Sequence, residues 1–431
     1  MRVSRRLFIR DGVAAVTLGL AAPPFLSAIA QAQGIRSRSL VVIYLGGGND
    51  SLNTLVSYQD PNYYSRRPTI AVPAGEVLQV GTDAGGRTLG LHPRLGGLHN
   101  IFNEGRLALV QRTGYPNSSR SHFEAADHWS TANPQSATGP GWLGRYLDTL
   151  PRPVDALSAW NTAGETPHAL LSGQTGVPSI PNASTYTYAS PNRGSAAIEE
   201  RAAAQMMAAN AAAGRPHLAL VNATNRAAIE TLDRVAQATT YTPTVTYPNG
   251  SFGLALRTVA GAIVRGIGSR VFWVQTSGFD THAQQGASGG AYGNLMGALG
   301  DGLWSFYSDV RNQGLANDTT VIVFSEFGRR ISENGSRGTD HGAAGVMMAL
   351  GGMVRGGLYG TAASLAPGHP TLENSSGDIR YETDFRSVYA RLLDQWLGVN
   401  SVPILNGDFR AGAPAIFSMG TEPFLAVLGS S

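Results

Sequence analysis

The stretch "SLVVIYLGGGNDSLNT", Ser39–Thr54, decides how the chain folds. Leu40 to Leu45 is an unbroken β-prone apolar run. A strand that faces solvent on one side alternates; one covered on both sides does not. The run therefore predicts a strand inside a parallel sheet. Gly46, Gly47 and Gly48 end it, so Asp50 falls just beyond its carboxyl end.

Further elements follow the same pattern. "RLALVQRTGYP" predicts a strand over Leu107–Gln111, and "SHFEAADHWSTA" a helix from about Ser121. From Phe252 onward strands alternate with helices: a helix near Phe252–Val264, the strand in "RVFWVQT", a long helix near Asn294–Gln313, the strand in "TTVIVFSEFGRR" and another in "GVMMALGG". A last helix, "DFRSVYARLLDQWLG", ends near Gly398. This alternation predicts an α/β fold with a doubly wound, mostly parallel sheet and helices on both faces. Residues 150–250 interrupt it with irregular, Pro- and Ser-rich sequence and two helices, near Ala196–Ala213 and Asn225–Gln237. They read as an insertion or cap on a domain spanning 33–431.

Composition removes several functions. The chain of 431 residues has no cysteine, and all 32 of its basic residues are arginine. Thiolate chemistry, Schiff-base lysines and a Walker-type phosphate loop are excluded. "GGGND" lacks the G-x-G-x-x-G spacing of a dinucleotide site. The net charge of +3 resides in residues 1–32, which hold Arg2, Arg5, Arg6 and Arg10 against Asp11. The remaining 28 arginines and 28 acidic residues balance. The body of the chain is therefore expected to bind no nucleic acid.

The first 32 residues explain their own charge. "SRRLFIRDG", Ser4–Gly12, precedes the apolar "VAAVTLGLAAPPFLSAIAQAQ", with A-x-A cleavage sites after Ala30 or Ala32. The segment closely resembles a twin-arginine export signal. That implies passage through the twin-arginine machinery to the periplasm or the exterior. Pro23 and Pro24 interrupt the apolar run, so no stable membrane span is expected after processing. The competing readings are a surface amphipathic helix or an uncleaved anchor.

Ligand-type side chains gather after the predicted strands. Asp50 follows the first, Asp280 and His282 follow "VFWVQT", Glu326 follows "VIVFS", and Asp340 and His341 precede "VMMAL". In open α/β sheets the strand ends form the ligand-binding edge. Any one of these residues alone is a common turn or helix-cap former. Together they place carboxylates and imidazoles on one rim. Such a mixture suits a divalent metal, zinc or manganese, ahead of calcium or magnesium.

A family resemblance enters on "LGGGNDSLNT", "SHFEAADHWSTA", "GFDTH", "SEFGRR" with "GTDHG", and "TDFRSVYARLL", together with the twin-arginine start. Over nearly its whole length the chain resembles an uncharacterised family of exported bacterial proteins, domain of unknown function fifteen-oh-one. That family is related in turn to the alkaline phosphatase superfamily of phosphatases, sulfatases and phosphodiesterases. The resemblance implies that Asp280, His282 and His341 hold a first metal and Asp50 a second. Glu326 offers the second metal one carboxylate, but Phe327 stands where an imidazole is expected. That metal is then weak, absent, or served by Asp340.

Ser121 lies where the superfamily keeps its nucleophile at a helix start. It equally fits a simple cap, with Glu124 completing a capping box. His122 could ligate, act as acid or base, or do neither. Arg329 or Arg330 could clamp an anionic group or form a structural ion pair. The sulfatase motif C-x-P-x-R is absent. What the resemblance implies is an exported metal-dependent hydrolase of a small-molecule or polymer phosphate or related ester. The alternative is a non-catalytic binding protein that keeps the fold.

Overall fold

The structure is a computed structural model, and it describes residues 38–418 apart from 153, 189 and 210–214. The export signal expected over residues 1–32 lies outside the described residues.

Eight strands form the central sheet: β1 (Ser39–Gly46), β2 (Leu107–Gly114), β3 (Ala159–Asn161), β4 (Val271–Ser277), β5 (Thr319–Phe324), β6 (Gly345–Gly351), β7 (Gly357–Tyr359) and β8 (Thr383–Asp384). Their order is β7-β2-β6-β5-β1-β4-β3, with β8 also paired to β2. Strand β1 lies in the middle, parallel to β4 on one side and to β5 on the other. Leu40, Val41, Val42 and Ile43 are all fully buried, as an unbroken apolar run requires.

Strand β6 runs antiparallel to both of its neighbours, β5 and β2. Every other pairing in this sheet is parallel. The reversal has a positional effect. Residues that precede β6 share an edge with residues that follow β1, β4 and β5.

The helices include α1 (Gly96–Asn103), α2 (His122–Thr131), α3 (Trp142–Asp148), α4 (Ser195–Ala209), α5 (Pro216–Thr239), α6 (Ser251–Val264), α7 (Gly290–Asn312) and α8 (Phe385–Arg391). Side-chain alternation along β1 splits them between two cores. Val41, Ile43 and Leu45 meet Leu98 of α1, Leu256 and Val259 of α6, and Met296, Leu299 and Leu303 of α7. Leu40 and Val42 face Trp129 of α2, Trp142 and Tyr146 of α3, and Phe385 and Tyr389 of α8. Each buried side chain of this size stabilises the fold by roughly 1.5–3 kcal/mol relative to exposure. On the second face aromatic rings stack, Trp129 on Phe385 at 4.3 Å and Trp142 on Tyr389 at 4.1 Å between centroids. The α/β architecture expected from β1 and the later alternation is the one observed.

Three elements differ in detail from expectation. The last helix is α-helical only to Arg391 and then widens into a π-helical segment, Leu392–Leu397. Gly398 ends it at φ 72°, a conformation a Cβ disfavours. Helix α5 starts nine residues earlier than its apolar pattern suggested, with Pro216 in its first turn, where a missing N–H costs nothing. Within the 150–250 stretch, Ala159–Asn161 pairs with β4 as the edge strand β3.

Candidate metal centre

The glycine loop after β1 builds the floor of the site. Gly47 has φ 118°, and a Cβ there would lie 2.4 Å from the Asp280 amide nitrogen. Gly48 has φ 75°, and its Cβ would lie 2.2 Å from the Phe327 ring. Only glycine lets this loop lie against the ends of β4 and β5. The Gly47 N–H donates to Glu326 Oε1 at 2.9 Å, fastening β1 to β5.

Three imidazoles and one carboxylate meet above it. His341 Nε2 lies 3.1 Å from Asp280 Oδ1 and 2.9 Å from His282 Nε2. His282 Nε2 is 3.1 Å from Asp280 Oδ1, and His122 Nε2 is 3.5 Å from Asp280 Oδ2. His122, Asp280 and His341 each place a donor atom within 4.8 Å of the others.

The other ring nitrogens fix the tautomers. His122 Nδ1 faces Glu326 Oε1 at 2.7 Å, His341 Nδ1 faces the Arg120 carbonyl at 2.7 Å, and His282 Nδ1 faces Asp340 Oδ1 at 3.2 Å. Each partner is an acceptor, so each Nδ1 carries the proton and each Nε2 presents a lone pair. Three lone pairs thus point at a carboxylate. His122 Nε2 is buried with no hydrogen-bond partner. A divalent cation relieves that arrangement. A tetrahedron of about 2.0–2.1 Å bonds has edges of roughly 3.3–3.4 Å; the three rings lie 3.1–3.5 Å from Asp280, and His122, Asp280 and His341 form the compact set.

Electrostatics favour a charged Asp280. Burial pushes its carboxyl up, but the hydrogen bond and the charge of Arg329 outweigh that and hold it at about 2. Burial also pushes the His341 ring down, towards the neutral form a ligand needs. Phe327 packs its ring against His122 and His341, at 4.9 and 4.8 Å between centroids. The residue that replaced an expected imidazole thus props two others.

Several expected roles are corrected by position. Asp50 does not reach the centre. It is buried with Arg67, both side chains 0% exposed, and Arg67 Nη1 lies 2.6 Å from Asp50 Oδ2. Gln285 Nε2 donates to the same oxygen at 2.6 Å. The cation that meets Asp50 is a guanidinium, so the residues present do not fit a second metal there. Glu326 and Asp340 also stand one bond back. They hold rings by Nδ1, as outer carboxylates do in histidine metal sites.

Arg329 is buried too. Its guanidinium donates to the carbonyls of Gly47, Gly48, Phe279 and Thr339 and to Asp280, leaving it no face for a substrate. It positions Asp280. Arg330 pairs with Asp378 at 3.5 Å. Ser121 is the N-cap residue of α2, yet its side chain makes no cap bond. Glu124 accepts from Ser119 Oγ instead, at 2.7 Å, so the capping box does not form. Ser121 is exposed and does not line the adjoining cavity, whereas His122 and Phe123 do.

That cavity has a volume of about 680 Å³ and opens beside the centre. His122, Asp280 and Glu326 close one end; Tyr44, Trp273 and Phe324 form an aromatic wall. On its far side His168 Nδ1 lies 2.6 Å from Asp127 Oδ1, with Nε2 2.7 Å from the Gly139 carbonyl. Sequence reading passed over Arg67, the Arg120 carbonyl, and Asn334, which donates to Asp340 at 3.0 Å. Arg67 and the Arg120 carbonyl act through contacts distant in sequence, and Asn334 through a loop contact that no motif marks.

The family model described as "Protein of unknown function (DUF1501)" matches residues 105–404. The chain belongs to this family. A comparison with curated proteins returns no match. Among solved structures, the PsFucS1 sulfatase from Pseudoalteromonas sp. is similar at 12% identity and a TM-score of 0.32, over 78% of this chain and 66% of that one. The chain thus spans just under two-thirds of that sulfatase's length. The C-terminal periplasmic domain of EcEptC from Escherichia coli, in complex with Zn, is similar at 9% identity and a TM-score of 0.28, over 73% of each chain. Among the described residues no helix of this DUF1501 protein is long and apolar enough to cross a membrane.

Proposed function

We propose that this DUF1501 protein is an exported, metal-dependent hydrolase of the alkaline phosphatase type that cleaves a phosphate or related ester. One observation carries the reading. The Nε2 atoms of His122, His282 and His341 converge on Asp280 at the mouth of a cavity, each with its Nδ1 held by an acceptor. The donor set suits zinc or manganese, and such an ion supplies Lewis-acid polarisation of the ester oxygen. Export by the twin-arginine route rests on the resemblance of residues 1–32.

The chain's own residues do the positioning. Glu326 and Asp340 orient His122 and His282, and Arg329 keeps the Asp280 carboxylate charged and aimed. Tyr44, Trp273 and Phe324 offer the ester's organic part an aromatic surface. With Ser121 outside the cavity, water is the nucleophile that fits.

The test is metal analysis of the purified chain together with hydrolysis of p-nitrophenyl phosphate and bis-p-nitrophenyl phosphate. One bound ion per chain is expected, with both metal and turnover lost in Asp280→Ala and His282→Ala. Metal-free protein, or hydrolysis unchanged in both variants, overturns the reading. A second reading, a binding protein with one structural metal, is favoured by the position of Ser121. Tight metal binding that raises the melting temperature without any turnover would select it.

A further inference from the structure

A second cavity, of about 570 Å³, lies beside the first, and Gln275 stands in the wall of both. The topology explains the junction. Edge strand β3 ends at Asn161, paired with Trp273, so β4 runs on past its partner and leaves Gln275 uncovered. The second cavity is walled by Thr162, Asn182, Ser184 and Thr239 together with α6, all of them within the stretch between β3 and β4.

The two chambers differ in charge. The metal-side cavity is lined by Asp127, Glu165, Asp280 and Glu326 and by no arginine. In the second, Arg257 is the one charged side chain. It is exposed and makes no hydrogen bond or ion pair with the described residues. Hydroxyl and amide side chains, among them Thr162, Asn182, Ser184 and Thr258, share the wall with Ala, Pro and Leu side chains.

We infer that the second chamber is a binding site for the distal part of an extended, hydroxyl-rich substrate carrying an anionic group that Arg257 receives. The inference rests on the hydrolase reading for the identity of the first chamber. A guanidinium with free donors receives a carboxylate or sulfate bidentately. The hydroxyl and amide side chains match a polyol such as an oligosaccharide. The scissile ester would then lie at the metal side and the distal anion at Arg257, the one charged side chain of the second chamber. The segment between β3 and β4 would thereby set substrate length.

The experiment is isothermal titration of the zinc-loaded chain with a monosulfated galactan tetrasaccharide and with its unsulfated counterpart. The sulfated form is expected to bind more tightly, and Arg257→Ala to weaken it about tenfold. The variant should leave the unsulfated form and p-nitrophenyl phosphate turnover unchanged. Gln275→Trp, which narrows the junction, should weaken both saccharides. No saturable binding by the wild type, or equal affinity in Arg257→Ala, overturns the inference. Arg257-dependent binding by a chain that hydrolyses no ester upholds the chamber and overturns the hydrolase reading alone.

Discussion

His122 Nδ1 lies 2.7 Å from Glu326 Oε1, and this contact decides which lone pair the ring offers to Asp280. Glu326 is 1% exposed and is also held by the Gly47 amide and the Ser325 hydroxyl, so it cannot swing away. Glu326→Gln keeps the shape and removes the charge. Metal affinity is expected to fall about 10- to 100-fold, the usual effect of losing an outer carboxylate. Competition titration with a zinc chelator measures it, and an affinity within twofold of wild type would refute the role.

The Asp50–Arg67 pair makes a separate prediction. Both groups are buried, and Arg67→Met leaves the carboxylate without its cation. Removing one partner of such a pair costs about 3–5 kcal/mol. Urea denaturation should show that loss, while metal content stays that of wild type. The double variant Asp50→Asn, Arg67→Met should recover much of the stability. Two ions per chain in wild type would contradict the assignment of Arg67 as the cation of this position.

Gly48→Ala tests the floor of the site. A left-handed backbone costs a Cβ-bearing residue about 1–2 kcal/mol, and overpacking against the Phe327 ring adds about 1–3 kcal/mol. A lowered melting temperature is expected, with weaker metal binding because Phe327 supports His122 and His341. Adding Phe327→Leu should restore part of the stability by removing the clash. Its failure to do so would place the cost in the backbone alone.

Alkaline pH should unfold the region beneath the second cavity. Tyr241 and Tyr247 both donate to Asp309, at 2.7 and 2.9 Å. Burial first, then the Asp309 hydrogen bond and charge, raise both phenols well above their usual value near 10. The protonated form is the one the fold holds. Stability from these groups is therefore complete below pH 10 and declines as pH rises beyond it. Melting temperature followed from pH 8 to 11.5 should fall, and Tyr247→Phe should flatten the fall. An equal slope in the variant would assign the effect elsewhere.

How much of this was legible in the sequence varies by element, and for physical reasons. An apolar run like Leu40–Leu45 admits one environment, so the central strand could be read directly. The positions of Asp280, His282 and His341 at one edge followed from strand ends. The reversal of β6 could not be read, because "GVMMALGG" is equally apolar in either direction. The roles of Asp50, Glu326 and Asp340 were likewise hidden. A carboxylate's function depends on which cation or ring it meets, and Arg67, His122 and His282 reach them through the fold. Phe327 was visible as a departure from pattern, while its use as a prop between two rings was not.

The reversed strand β6 also bears on the order in which the chain assembles. Glu326 and His341 belong to one hairpin-like excursion, in which Arg330 N–H bonds the Asp340 carbonyl and Gly342 N–H bonds that of Gly328. That half of the centre is local and quick to close. His122 arrives from far upstream and Asp280 from another strand, only once β1 lies between β4 and β5. An ion held by His122, Asp280 and His341, as proposed above, would thus be a late event, a clasp that shuts on a finished sheet.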